Sequence, residues 1–237
     1  ASRVLAFKPS AGIYAKNSLN YTRPPMPFCY AFLSVLLGLF ISLNSQAGSQ
    51  IEEPLSRSVR AMMQRSISDK APAKLLFASD KEGDAWLQTM SARLQKRIPN
   101  AAYREDFLRT VHYEASRAGL DPQLVLGLIQ VESGFNKYAV STAGARGFMQ
   151  IMPFWPRAIG ASDHNLFLLR TNLRYGCTIL RHYLDREHGD LFRALGRYNG
   201  SLGQSAYPNL VLATWRKHWD YPSKNGDFPA KFPSTHL

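Results

Sequence analysis

The stretch DPQLVLGLIQVESGFNKYAVSTAGARGFMQ, residues 121–150, decides how the rest of the chain is read. Asp121 is a good helix N-cap, Pro122 suits the first helical position, and Gly134 stands ready to end the helix, so the spacing predicts a short helix between them. Its apolar positions are Leu124, Val125, Leu128, Ile129 and Val131. Glu132 falls one turn beyond Leu128 and Ile129 and two turns beyond Val125, so its carboxyl continues the apolar stripe. A carboxyl on an apolar face is partly desolvated. That disfavours the ionised form and raises its pKa, which suits a general acid working near neutral pH.

Beyond Glu132 the chain carries a run that helix packing does not require: ESGF, then Ser141, then GARGFMQ from Gly144 to Gln150, then IMP, and later YNG at Tyr198 to Gly200. In this order the motifs resemble those of the soluble lytic transglycosylases, a family with a lysozyme-like α-helical fold that cleaves the glycan strands of bacterial peptidoglycan. The resemblance covers about 120–219, the size of one small domain. Phe148 stands where the family usually has Leu, and YNGS from Tyr198 replaces the commoner YNAG. The first change keeps an apolar side chain; the second alters a loop beside the cleft. NLRYGCTIL from Asn172 is similar to the family's NLxxGxxYL helix, with Ile179 in place of Tyr.

The resemblance implies non-hydrolytic cleavage of the bond between N-acetylmuramic acid and N-acetylglucosamine. Glu132 is then acid first and base second, and the product is a 1,6-anhydromuramic end. Glycosidic cleavage usually needs two carboxylates. After Glu132 the acids are Asp163, Asp185, Glu187, Asp190, Asp220 and Asp227, none beside a recognisable motif, which agrees with a single-acid scheme. Ser133 and Ser141 are candidates to donate hydrogen bonds near the carboxylate or the N-acetyl group, or to cap turns. Met149 and Gln150 match the MQ pair, with Met149 expected to line the sugar cleft and Gln150 to bond sugar polar groups. Tyr198 and Asn199 match the YN pair, and the Tyr198 hydroxyl is expected to orient Glu132. Tyr207 fits core packing and a sugar contact equally well. The six histidines include no HxH or HExxH pair, so neither a metal site nor a cofactor is expected. The alternatives are a goose-type lysozyme-like hydrolase and a noncatalytic peptidoglycan-binding module.

The remaining chain frames this domain. Composition is 45% hydrophobic over 237 residues, enough for one good core, and the net charge of +12 favours anionic partners. The basic residues are scattered and form no dense tract or aromatic-interleaved stripe, so nucleic acid is not an expected partner. The expected partner is peptidoglycan glycan, met by a monomer. The uncharged run FCYAFLSVLLGLFISL, residues 28–43, followed by Ser45-Gln46-Ala47, reads as a secretory signal cleaved before Gly48, placing the working protein in the periplasm. An uncleaved 28–43 would give association with the inner membrane instead. Met26 is expected as the true start, or residues 1–25 as an extension without structural importance. Cys29 lies within the apolar run, not behind a lipoprotein cleavage box. Cys177 is then the one remaining cysteine, expected as a buried hydrophobe in a helix.

The fold class is mostly α, a lysozyme-like helical domain with an N-terminal helical extension. Residues 48–80 read as a linker with some helix from Ser56 to Ile67. Residues 81–119 read as a helical arm, with helices at Asp84–Ile98 and about 102–118 that either pack on the domain or extend its core. Residues 120–219 form the catalytic domain, and 220–237 a loosely held tail. Ile151 and Met152 are expected to continue a short helix until Pro153 and Pro156 break it. A long helix is expected at about 166–187, where mid-helix Gly176 marks a close helix crossing. Further helices are expected at Phe192–Tyr198 and Tyr207–Trp219.

Overall fold

The structure, a computed structural model, describes residues 50–68, 71, 73–77 and 79–222. Among the described residues eight α-helices come in the order α1 (Arg57–Ser68), α2 (Asp80–Leu94), α3 (Ala101–Arg117), α4 (Pro122–Ser133), α5 (Phe154–Ile159), α6 (Leu169–Arg186), α7 (Leu191–Asn199) and α8 (Ala206–Thr214). The last runs on into a π-helical turn, Trp215–Trp219. Short polar side chains start several of the helices by accepting from otherwise orphaned N–H groups. Asn100 accepts from Tyr103 N at 2.8 Å, Asp121 from Gln123 N at 2.6 Å, and Asp190 from Arg193 N at 3.0 Å. Gly134 ends α4 in the left-handed conformation, φ 58°, as its position predicted. Among the described residues the only strand-like pairings are two isolated bridges, Val140 with Arg146 and Arg146 with Ile151.

Helix α4 is the hub. Leu124, Val125, Leu126, Leu128 and Ile129 are all buried, so the helix is enclosed on nearly every side and not merely along one stripe. Helices α3 and α8 and the π-helical turn pack on it, while α6 packs on α3 and α7. One glycine sets the closest of these approaches. A Cβ on Gly127, in mid-α4, would stand 3.0 Å from the backbone of Trp215, so the π-helical turn lies directly against the α4 backbone. An aromatic chain continues the core through the domain: Phe148 to Phe107 at 5.0 Å, Phe107 to Phe135 at 5.9 Å, and Phe135 to Trp219 at 5.4 Å between ring centroids.

The helix expected from Ser56 to Ile67 forms as α1, shifted by one residue; its Met63 and Ile67 lie in the common core, and Gln50 is also buried. Of the two readings of the arm helices, the structure shows the one in which they extend the core, through Trp86, Met90, Leu94, Phe107, Leu108 and Val111. Helix α2 starts at Asp80, not Asp84, because Ser79 caps it by accepting from Glu82 N at 3.3 Å. Asn100, in the gap between the two arm helices, caps α3.

Pro153 and Pro156 do not break a helix; they start one. Pro153 is the N-cap of α5 and Pro156 sits in its first turn, where a missing N–H costs nothing because no intrahelical acceptor exists there. The GARGFMQ run before it is a series of turns and bridges, not helix. Helix α6 begins at Leu169, three residues later than expected, because Asn165 closes a turn by accepting from Phe167 N at 2.9 Å. Gly176 does mark a close approach, but the partner is the Met149 side chain, not a crossing helix. Residues 1–49, with the export signal and its cleavage site, and 223–237, most of the expected tail, lie outside the described residues. Among the described residues no helix is long and apolar enough to cross a membrane.

Candidate active site

Glu132 sits in the last turn of α4 with 6% of its surface exposed. Burial pushes its carboxyl up to about 8, opposed in part by a hydrogen bond from the Tyr207 hydroxyl to Oε1. The other carboxyl oxygen, Oε2, is buried and has no hydrogen-bond partner among the described residues. A buried carboxyl with a single neutral donor and no cation is held protonated at neutral pH. With Oε1 occupied as acceptor, Oε2 is the oxygen left to carry the proton.

Tyr207 is the residue that the sequence left undecided, and the structure gives it the part expected of Tyr198. It reaches Glu132 from the first turn of α8 because α8 and the π-helical turn press onto α4 at Gly127. Burial and the neighbouring carboxyl drive the Tyr207 phenol well above its ordinary range, so it remains a donor. The signal that would have found it is the glycine in mid-α4. An interior glycine costs about 1 kcal/mol against Ala in a helix, so its presence asks for a close partner.

Tyr198 is fully buried, and its hydroxyl donates to the Met149 carbonyl at 2.8 Å, not to Glu132. It therefore holds the loop behind the carboxyl. Ser133 works the same way: its hydroxyl donates to Phe148 O at 2.8 Å and Ile129 O at 3.2 Å, tying the end of α4 to that loop. Ser141 accepts from Ala145 N at 3.1 Å and so caps a turn.

The loop from Gly144 to Gln150 is pinned from within. Asn172 on α6, buried and named in sequence only as the start of the NLRYGCTIL match, accepts from Met149 N at 2.8 Å and donates to Arg146 O at 2.9 Å and Leu166 O at 2.8 Å. Gly147 is required beneath it: its φ is 76°, and a Cβ there would collide with the Asn172 amide. Gln150 takes the unusual φ of 49°, and its amide donates to Ala139 O at 3.1 Å and Gly147 O at 2.9 Å. Met149 is fully buried against Gly176, so it supports the loop from the inside and does not line an open surface. Asn199 is buried beside Tyr198 and donates to Ser201 Oγ at 3.1 Å. Gln50 closes the back, accepting from Trp155 Nε1 at 2.8 Å and Met152 N at 3.3 Å.

Thus Glu132 and Tyr207 meet directly, while Ser133, Met149, Gln150 and Tyr198 form one bonded scaffold behind them. Comparison with known proteins bears on the same segment. Residues 109–209 match the family described as the Transglycosylase SLT domain. The chain is 35% identical over 110 residues to a transglycosylase of Enterobacteria phage PRD1, covering 44% of this chain and 40% of that protein. It is 51% identical over 47 residues to the membrane-bound lytic murein transglycosylase C of Actinobacillus pleuropneumoniae serotype 5b, covering 20% of this chain and 13% of that one. The protein of the same description from Haemophilus influenzae is 47% identical over 47 residues, again 13% of its length. The chain therefore spans well under two thirds of these relatives. Residues 109–209, within a mostly α, lysozyme-like fold, therefore carry a likeness to the lytic transglycosylases that extends over less than half of the chain.

Proposed function

We propose that the protein is a peptidoglycan lytic transglycosylase in which Glu132 acts first as acid and then as base. The observation that carries this is the desolvated Glu132 carboxyl, oriented by Tyr207 and raised to about 8, so that it reaches neutral pH with a proton to give. Glu132 Oε2 protonates the glycosidic oxygen as the bond to C1 of N-acetylmuramic acid breaks. The substrate's own N-acetyl group stabilises the developing cation. The carboxylate then takes the proton from the C6 hydroxyl as O6 closes on C1, which regenerates the acid and consumes no water.

Among the described residues no second carboxylate is joined to Glu132 by a hydrogen bond, which suits a substrate that brings its own nucleophile. Oε2 is covered, so the cleft wall yields when glycan binds. The Ser133, Gln150 and Tyr198 scaffold fixes the loop against which the sugar lies, and Asn199 and Ser141 shape its edges. The 28–43 run fits export to the wall, where this substrate is found.

The test is Glu132→Gln, which keeps the size and removes the transferable proton. The variant should fold and bind glycan while turnover falls by at least about a hundredfold. Products of the unaltered protein should be lighter by one water than hydrolysis products. Full activity in the variant would exclude Glu132 as the acid. Ordinary reducing ends on the products would replace the transglycosylase by a goose-type lysozyme-like hydrolase. Glycan binding without any turnover would make the protein a binding module.

A further inference from the structure

A second concave site lies away from Glu132. Arg93 in the last turn of α2, Arg97 just beyond it, Gln130 on α4, and Arg216 to Asp220 enclose a cavity of ≈ 350 Å³. Gln130 and Glu132 are two residues apart, about 200° around the helix, so this cavity opens on the opposite side of α4 from the candidate acid.

Its walls are built from fixed contacts. Trp219 Nε1 donates to Gln130 Oε1 at 2.9 Å, and the Arg97 guanidinium lies 5.6 Å over the Phe135 ring that packs on Trp219. Arg93 Nη1 donates to the carbonyls of Asp220 at 2.8 Å and His218 at 3.3 Å, which clamps the π-helical turn to the end of α2.

The charges here differ from those at the paired clusters of the domain. In those clusters arginines converge on a carboxylate: Arg186 and Arg197 on Glu53, Arg193 and Arg197 on Glu187, and Arg170 and Arg174 on Glu114. Around this cavity Arg93, Arg97, Arg216 and Lys217 face inward with His218 beside them, and none of the four makes an ion pair among the described residues. Asp220 is the only acid in the lining. Gathering like charges around one hollow destabilises the fold unless an anion enters, and guanidinium forks match carboxylates two bonds at a time.

We propose that this cavity binds the carboxylates of peptidoglycan stem peptides, those of strands adjoining the one held at Glu132. The identity of the anion rests on the proposed function; the anion site itself rests on the cavity. A bilayer surface is the poorer occupant, because the lining offers no exposed aliphatic side chain to insert and the site is concave.

The experiment is fluorescence anisotropy with a labelled synthetic stem pentapeptide, in the free-acid form and with every carboxyl amidated. It compares the protein with its Arg216→Gln/Lys217→Gln variant after thermal melting has shown both folded. The free acid should bind the unaltered protein about tenfold more tightly than the amide, and the variant should lose that preference. Equal binding of acid and amide, or an unchanged variant, overturns the proposal. So does a loss seen only with phosphatidylglycerol vesicles, which would make the cavity a lipid site. Anhydro products without peptide preference would sink this proposal alone. Peptide preference without glycan cleavage would sink only the catalytic assignment.

Discussion

Two buried glutamates stand on neighbouring helices and are treated in opposite ways. Glu114 on α3 is fully enclosed and bonded by guanidinium groups: Arg174 Nη2 at 2.7 Å, with Arg170 and Arg117 each at 3.2 Å. Glu132 on α4 is nearly as enclosed but has only the Tyr207 hydroxyl for company. Burial alone therefore does not make an acid catalyst. Cations around Glu114 make it a fastening between α3 and α6. The absence of a cation among the partners of Glu132 leaves burial unopposed, and the proton stays on.

The largest way to break this contrast is to remove the charge at Glu114. Glu114→Gln would leave clustered guanidinium groups without their counter-charge and should cost on the order of 3–5 kcal/mol, read by denaturant unfolding. A loss under about 1 kcal/mol would show that the cluster is not structural.

The second tests Glu132 through stability and pH. Its folded value near 8 lies above the ordinary carboxylate value of 4.5, so the folded protein binds the extra proton. Stability contributed by that proton is whole below about 4.5 and is lost as pH rises through about 8. Glu132→Gln should therefore match the unaltered protein in acid and exceed it by a few kcal/mol above pH 8, by thermal melting. The same titration predicts turnover falling as pH rises through about 8. A stability gap that did not change with pH would sink the protonated carboxyl.

Tyr207→Phe sharpens the contrast. It removes the one bond that favours the ionised form, so the alkaline limb of the rate profile should move to higher pH while turnover drops about tenfold. A drop with no movement of the limb would assign Tyr207 to the sugar and not to Glu132. The smallest effect is expected at Cys177, buried near Glu114, whose thiol burial pushes up beyond ordinary titration. Cys177→Ala should cost about 1 kcal/mol and leave turnover of folded protein unchanged.

Sequence told the two glutamates apart only in part. The apolar stripe ending at Glu132, its Asp121 cap and the Gly134 stop were all legible because they are local and periodic. Helix α6 was legible for the same reason, apart from its first turn. Glu114 was not singled out, since its partners Arg170 and Arg174 are more than fifty residues away. Tyr207 was equally hidden: its meeting with Glu132 spans seventy-five residues and depends on Gly127 admitting the Trp215 backbone. Met149, Gln150, Ser133 and Tyr198 matched motifs, yet a motif does not say which way a side chain faces, and these four face the scaffold. Pro153 and Pro156 were misread because proline ends one helix and begins the next with the same residue type.

The shared core has a consequence for how such a protein could be shortened or recombined. The family match begins at Arg109, inside α3, and ends at Asn209, inside α8. Met63, Trp86, Met90, Leu94 and Phe107 lie before it, and Val211 and Trp219 after it, all in the one apolar cluster. Excision at those limits would cut two helices in mid-turn and strip α4 of much of its cover, so a graft of this chemistry has to carry its flanking helices to keep that core whole.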